Sequence, residues 1–227
     1  MARTRDSHHM RQKLLDGAAR LLAEEGPAAL TTRRVAAEAS TSTMAVYTHF
    51  GSIATLVEAV VEEAFTRLAE AMASVGSTDD PVADIAGLTR AYLTNARANG
   101  NLYAIMFGAA SLGPYRRHAP DELRIGRAET FGLVLEAVQR ALDDGRFRPA
   151  SPVRVATQWW SAIHGYTMLE LGGYITRPGG VAKVLAPLLE SLFIGLGDDP
   201  AATLRSIAQL DSGALDGGTQ DQPPLET

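Results

Sequence analysis

Residues 31–50 read TTRRVAAEASTSTMAVYTHF, and the spacing within this stretch predicts two short helices joined by a tight turn. Thr31 or Thr32 can cap the first helix, because a threonine hydroxyl accepts from one of the N–H groups left unsatisfied where any helix opens. Val35, Ala36 and Ala39 then share one face. Ser40, Thr41 and Ser42 follow, three hydroxyl side chains that compete for backbone hydrogen bonds and favour a turn or a fresh cap over continued helix. A second helix starts near Thr43. Its Val46 and Phe50, four residues apart, face inward, while Thr43, Met44, Tyr47 and Thr48 point elsewhere at helical spacing. Short side chains on that outer face suit entry into a groove.

Outward from this pair, Leu14, Leu15, Ala18, Leu21 and Leu22 repeat at threes and fours through Arg11–Glu25, an amphipathic helix stopped by Gly26-Pro27. Met1–Met10 reads as a polar, mobile arm that offers Arg3 and Arg5 to a phosphate or a minor groove. The adjacent His8 and His9 read as solvated rather than as metal ligands. Downstream, Ser52 caps a long helix through Met72 that links the N-terminal bundle to the rest, and Asp80-Pro81 opens another that ends at Gly100. Asn101–Ser111 is short and very apolar. Gly113–Pro120 reads as a solvated loop carrying Arg116, Arg117 and His118. Helices follow at Asp121–Asp144, Val153–Leu171 and Val181–Leu196, the last with a bend expected at Pro187. A further short helix is expected around Leu204–Leu210, and Asp211–Thr227 reads as a disordered tail. No alternating strand pattern is present, so the fold class is all-α.

The 227 residues are 46% hydrophobic, enough for a sizeable core. No stretch reaches the ~18 to 20 uninterrupted apolar residues of a membrane span. There are no cysteines, which excludes disulfides and thiolate chemistry and fits a cytoplasmic location. The net charge of −5 runs against a nucleic-acid binder, but its distribution does not. Residues 1–50 carry seven basic and five acidic side chains, against 14 and 21 in the remainder. A basic end on an acidic body turns that end toward a polyanion.

The Thr31–Phe50 segment resembles the DNA-binding motif of the TetR family of bacterial transcriptional regulators. The likeness rests on Thr31, Thr32, Val35, Ala36, Ala39, Tyr47, His49 and Phe50, and covers about residues 10–60. Two positions depart from the family pattern. Ser40 stands where the turn commonly has Gly, and Ile53 stands where a phosphate-contacting Lys is common. A second stretch, WWSAIHGYTMLEL at 159–171, is similar to the C-terminal helix of a TetR subgroup, with Trp160, His164 and Glu170 at its recurring positions.

The resemblance implies a helix-turn-helix domain with an N-terminal arm at 1–51 and a helical ligand-binding and dimerisation domain at 52–210, leaving 211–227 as the tail. It implies a homodimeric repressor that binds a near-palindromic DNA operator, joined through residues 153–196 and released by a small molecule. Thr32, Tyr47 and His49 match phosphate-contacting positions; Arg33, Thr43 and Met44 match positions able to approach base edges, and Thr48 could do either. Leu189 and Leu192 are expected at the subunit seam. Tyr103, Met106 and Phe107, with Trp160 and His164, are the candidate walls of a cavity for a hydrophobic, aromatic or lipid-like ligand. Each of these also has a reading as ordinary core, and His164 as a hydrogen-bonded core or seam histidine. On a helix, Glu170 lies well round from His164, so the two form no local acid-base pair. No convergent acid, base, nucleophile, metal or cofactor constellation is recognisable, which sets the rival readings, a helical-bundle enzyme or a helical dimer that binds no DNA, behind the regulator.

Overall fold

The computed structural model describes residues 2–107 and 123–210, with side chains from Ser7 to Phe107 and from Ala128 to Leu210. Among the described residues every regular element is helical. The loop with Arg116, Arg117 and His118 and the tail at 211–227 lie outside them.

The chain forms two compact units, the first built from residues 1–74 and 95–132 and the second from 75–94 and 133–227. The first opens with α1 (Ala2–Glu25). The helix therefore begins well before Arg11, and the stretch expected as a mobile arm is helical, since no Gly or Pro interrupts it before Gly17. Leu14, Leu15, Ala18, Leu21 and Leu22 are all buried, as their spacing requires. Gly26, at φ 77°, ends the helix in a backbone region that suits Gly, and a single 3₁₀ turn at Pro27–Ala29 leads onward. Helices α2 (Thr32–Glu38) and α3 (Thr43–Phe50) pack on each other and on α1. Gly17 allows the close approach of α1 and α2, because a Cβ there would lie 3.1 Å from Glu38 Cγ. Helix α4 (Ile53–Ala73) starts at Ser52, whose hydroxyl accepts from Thr55 N–H at 3.1 Å, and buries Leu56, Val57, Val60, Val61, Phe65, Leu68 and Met72. The end of α5 (Pro81–Ala98) and all of α6 (Gly100–Met106) complete this core. Gly100, expected to close α5, instead opens α6, and α6 packs on α1 and α4.

The second unit holds the first part of α5, most of α7 (Leu123–Asp143), α8 (Pro152–Leu171), α9 (Arg177–Gly180), α10 (Ala186–Leu196) and α11 (Pro200–Ile207). The irregularity expected at Pro187 is a π turn at Val181–Leu185, one turn earlier. Proline lacks the N–H that would bond back into that turn, and the wider register absorbs the loss. Residues 177–196 are long and apolar enough to pass for a membrane span by composition, with mean hydropathy 1.5. They nevertheless carry Lys183 and Glu190, and their buried residues Val181, Leu185, Leu189 and Phe193 fall on one face, the pattern of a helix covered on one side.

Leu189 corrects the seam expectation. It is 0% exposed within the single chain, so a charge there would break the core, whereas Leu188 at 41% and Val184 at 40% are the outward residues.

An ionic clamp closes the second unit. Arg146 donates to Asp198 at 2.5 and 2.8 Å, to Asp80 at 2.7 Å and to Ser206 at 3.1 Å. Asp80 also caps α5 through Val82 and Ala83 N–H, so one guanidinium ties the start of α5 to α11. Burial raises the Asp198 carboxyl, but the bonds from Arg146 and Thr203 outweigh it and hold the group below its ordinary value. Asp80 is lowered in the same way, its burial outweighed by bonds from Ser206, the Ala83 N–H and Arg146.

Candidate functional site

The helix pair is set by its caps. Thr31, in extended conformation, accepts from Arg34 N–H at 3.2 Å, which settles the choice of cap and leaves Thr32 as the first helical residue, half-buried. At the other end of α2, Thr41 N–H donates to Ala36 O at 2.8 Å and Ser40 N–H to Ala37 O at 3.0 Å. These two bonds form a Schellman closure, whose pivot residue is ordinarily Gly. Here the pivot is Ser40 at φ 53°, the one non-glycine residue of positive φ among those described. The turn keeps its geometry despite the substitution, at the cost of local backbone strain.

Helix α3 is anchored by Val46 (0% exposed) and Phe50, over whose ring the Arg11 guanidinium sits at 5.0 Å. The opposite face projects outward: Met44 is 69% and Tyr47 51% exposed, Thr43 and Thr48 are exposed, and His49 is half-buried at the margin. Thr48 donates its hydroxyl proton to Met44 O at 2.9 Å, which spends that donor within the helix. The structure thus gathers Thr43, Met44, Tyr47 and Thr48 on one surface of one helix. Arg33 is exposed near the start of the neighbouring α2. Ile53 is half-buried at the first position of α4, next to Gly51 and Ser52, and contributes no charge there.

The neighbouring cations differ in a way the sequence conceals. Arg34 holds Glu25 through two bonds of 2.6 Å, and that hydrogen-bonded pairing keeps the Glu25 carboxyl below its usual range. Arg20 bonds Glu38 at 3.0 Å, and Arg67 bonds Asp16 at 2.8 Å and Glu63 at 3.0 Å. Arg33 forms no ion pair among the described residues. Three of the cations near the pair are therefore held by the protein's own carboxylates, while Arg33 remains available to an external anion. Nothing at sequence level separated Arg33 from Arg34, because the partner Glu25 is nine residues away and comes near only through the fold.

The candidate ligand residues fall into two groups, one in each unit. In the first, Tyr103 and Met106 are each 1% exposed, and Phe107 meets Tyr103 at 4.7 Å and Phe65 edge-on at 5.6 Å between ring centroids. In the second, the Trp160 and His164 rings lie 5.6 Å apart, one turn apart on α8. Both converge on a residue that sequence reading missed. Tyr92 Oη accepts from Trp160 Nε1 at 3.4 Å and lies 3.2 Å from His164 Nδ1. The adjacent Trp159 is core, its Nε1 donating to Thr89 Oγ1 at 2.9 Å. Thr89 and Tyr92 sit three apart on α5, so a polar, aromatic i, i+3 pair inside an apolar helix was the available signal. Glu170 accepts from Tyr166 Oη at 2.8 Å, beneath Gly180, where a Cβ would lie 2.8 Å from that hydroxyl.

Comparison with known proteins gives the same picture from outside. Residues 14–60 match the family described as "Bacterial regulatory proteins, tetR family", and residues 85–192 match "Tetracyclin repressor-like, C-terminal domain". Together the two cover more than half of the chain. No curated protein matches. Among solved structures, a protein with unknown function from Rhodococcus sp. RHA1 is 26% identical, with a TM-score of 0.71 over 83% of this chain and 96% of its own. The fatty acid degradation regulator FadR from Bacillus halodurans is 14% identical, with a TM-score of 0.65 over 83% and 97%. RolR in complex with resorcinol is 16% identical, with a TM-score of 0.62 over 91% and 96%. At such identities the last two likenesses concern the fold alone.

Proposed function

This chain belongs to the TetR family of bacterial transcriptional regulators, and from that premise we propose that it is a homodimeric repressor whose paired α3 helices read a near-palindromic operator and whose helical body responds to a hydrophobic small molecule. The observation that carries the reading is the outward face of α3, where Thr43, Met44, Tyr47 and Thr48 stand exposed over a buried Val46 and Phe50. A single recognition helix reads only a few base pairs, so affinity requires two, about 34 to 36 Å apart to meet successive major grooves. In this reading Thr32, Tyr47 and His49 position the protein on phosphates, while Arg33, Thr43 and Met44 meet base edges. As a protein that acts on DNA, it works in the cytoplasm. No cofactor or catalytic step enters the reading.

The seam is assigned to α8 and to the segment running through α10. Val153 and Leu169 on α8, with Val184 and Leu188 on the other helix, are 40–55% exposed in the single chain. Apolar groups at such positions lose contact with water when a second copy packs on them. The effector is assigned to a lining that includes Trp160, His164 and Tyr92, whose rings bring an indole N–H, an imidazole and a phenol together. Tyr103, Met106 and Phe107 are carried as a separate apolar group. A resorcinol complex of RolR and a fatty acid regulator of the same fold support an aromatic or lipid-like ligand, the class that such a lining favours.

The test is DNA binding. The protein should retard the DNA upstream of its own gene, with affinity falling steeply as salt rises, and Tyr47→Ala should weaken binding to every sequence. Binding indifferent to salt, or unchanged in Tyr47→Ala, would remove the assignment. For the effector, an aromatic phenol and a medium-chain fatty acid should raise the thermal midpoint of the parent, and Trp160→Ala should abolish the shift. Phe107→Trp tests the first-unit group: weakened ligand response with intact operator affinity supports it, and loss of both identifies Phe107 as core.

A further inference from the structure

The chain contains six methionines and no cysteine. Peroxides and hypohalous acids attack sulfur foremost, so in this protein that chemistry falls to thioethers alone, and access to solvent decides among them. Met72 and Met106 are each 1% exposed, in the core of the first unit, and Met10 and Met168 are half-buried. Met44 is 69% exposed. It is the second residue of α3, with Thr43 before it and Tyr47 and Thr48 one turn further on, all exposed. The first turn of a recognition helix is the part that meets base edges. The most accessible described sulfur of the chain therefore lies on the surface assigned to DNA.

The fold does not rely on this sulfur. Helix α3 is held by the buried Val46 and Phe50, and its first turn by the Thr48 hydroxyl, which donates to the Met44 backbone O at 2.9 Å. A polar group added at Met44 changes the outer surface and leaves these contacts in place. The same change at Met72 or Met106 would set a polar sulfoxide in the core and unfold it.

We propose that Met44 is a reversible oxidation site at which transfer of one oxygen atom from a peroxide or hypohalous acid switches off operator binding; the switch rests on the DNA-binding reading. The sulfur lone pair attacks the oxidant's oxygen, an S–O bond forms, and the O–O or O–Cl bond breaks. Sulfur gives up two electrons; hydrogen peroxide leaves as water, or hypochlorous acid as chloride and a proton. A sulfoxide reductase restores the thioether by oxidising a pair of its own thiols to a disulfide, and the oxygen leaves as water. The consequence for DNA follows from polarity. A thioether suits apolar contact with a thymine methyl. The sulfoxide oxygen carries partial negative charge and only accepts hydrogen bonds, whereas each base pair shows two acceptors to one donor in the major groove and the phosphates beside it are anionic. Such an oxygen loses water without a matching donor, once in each protomer of a homodimer.

The test treats the full chain with dilute hydrogen peroxide, follows each methionine by peptide mass mapping over time, and reads affinity for a selected operator on the same samples. Met44 should gain one oxygen ahead of Met10, Met168, Met72 and Met106, with the circular dichroism unchanged. Operator affinity should fall about tenfold or more as Met44 sulfoxide accumulates, and methionine sulfoxide reductases with dithiothreitol should restore it. Each variant is compared with its own untreated form. Met44→Leu should lose no affinity on treatment, whereas Met10→Leu combined with Met168→Leu should lose as much as the parent. Oxidation of Met44 no faster than that of the half-buried methionines overturns the site. Full conversion of Met44 with unchanged affinity, or an equal fall in treated Met44→Leu, overturns the switch. A protein that binds no DNA before treatment counts against the repressor reading, and the mass map then decides the oxidation site by itself.

Discussion

Arg33 and Arg34 are adjacent, both exposed and chemically identical, yet their alanine variants should behave differently on DNA. Arg34 is bonded twice to Glu25 at 2.6 Å, so its positive charge is already answered by a carboxylate. Arg33 makes no ion pair among the described residues and stands exposed at the second position of α2, the helix that precedes the recognition helix. An arginine meeting a base edge with both arms contributes about 1 to 3 kcal/mol of discrimination. A homodimer makes the contact twice, so Arg33→Ala should cost about 2 to 6 kcal/mol on the full operator, roughly 30-fold to 20,000-fold in affinity. The loss should be smaller on nonspecific DNA, because phosphate contacts elsewhere are untouched. Arg34→Ala should leave operator affinity near the parent value.

The assay is fluorescence anisotropy on a selected operator and on a scrambled duplex, each over a salt series. Ile53→Lys belongs in the same set as a gain-of-charge control, since it restores the cation common at that position. It should steepen the dependence of log K on log salt by roughly 0.9 per protomer if the new ammonium meets a phosphate. Equal losses for Arg33→Ala and Arg34→Ala, or an Arg33→Ala protein that keeps both affinity and preference, would refute the argument that ion pairing within the protein decides which cation reads DNA.

Three further outcomes follow from the geometry. Ser40→Gly removes a left-handed strain of about 1 to 2 kcal/mol and loosens the unfolded chain by about 0.4 to 1, so chemical denaturation should show unchanged or slightly raised stability. Ser40→Val should show a clear loss, because a β-branched residue tolerates φ 53° poorly. Arg146→Met leaves the buried Asp198 without its cation and should cost about 2 to 4 kcal/mol, with a fall in thermal midpoint of roughly 5 to 15 °C. The carboxyls of Asp80 and Asp198 are both lowered by folding, so their contribution is full above the ordinary aspartate value and disappears as pH falls through the lowered folded values. Urea midpoints measured from neutral pH down to acid should therefore drop in the parent and flatten in Arg146→Met. Leu188→Glu combined with Val184→Glu should give folded monomers by sedimentation, whereas Leu189→Glu should unfold the chain; dimers undisturbed by the double charge would move the seam elsewhere.

Much of the fold was legible because its signals are local. Leu14, Leu15, Ala18, Leu21 and Leu22 lie at threes and fours and are all buried. The hydroxyl run at 40–42 marks a turn that the backbone indeed makes. What sequence could not show depends on contacts between distant residues. The pairing of Arg34 with Glu25 and the convergence of Trp160 and His164 on Tyr92 join positions nine and about seventy apart, and no periodicity carries them. Of the two residues expected at the seam, Leu189 fell on the buried face for a related reason, while Leu192 is half-buried. Helical spacing identifies which residues share a face, but an element apolar on more than one face gives no sign of which face meets its own core and which a partner.

That ambiguity bears on the recognition surface as well. The two faces of α3 have opposite duties: Val46 and Phe50 fix the helix to α1 and α4, and the exposed face must stay free in the absence of DNA. Met44 and Tyr47 are large and partly apolar, and on most monomeric proteins such residues would tend to find cover. Here the turn at Ser40 fixes the angle at which α3 leaves α2, and Gly51 at φ 72° turns the chain into α4 immediately after Phe50, so neither flank folds back over the outer face. The exposure of Met44 at 69% and Tyr47 at 51% is thus imposed by the two bends that bound the helix, not chosen by the side chains themselves. A protein held in this way presents its reading surface before DNA arrives and spends little binding free energy on ordering it. Hydrogen exchange should accordingly show α3 amides that are protected in the free protein and only modestly slowed by operator DNA. Recognition-helix amides that exchange freely until DNA is added would instead mean that the helix orders on binding, and that the two bends do not fix its outer face.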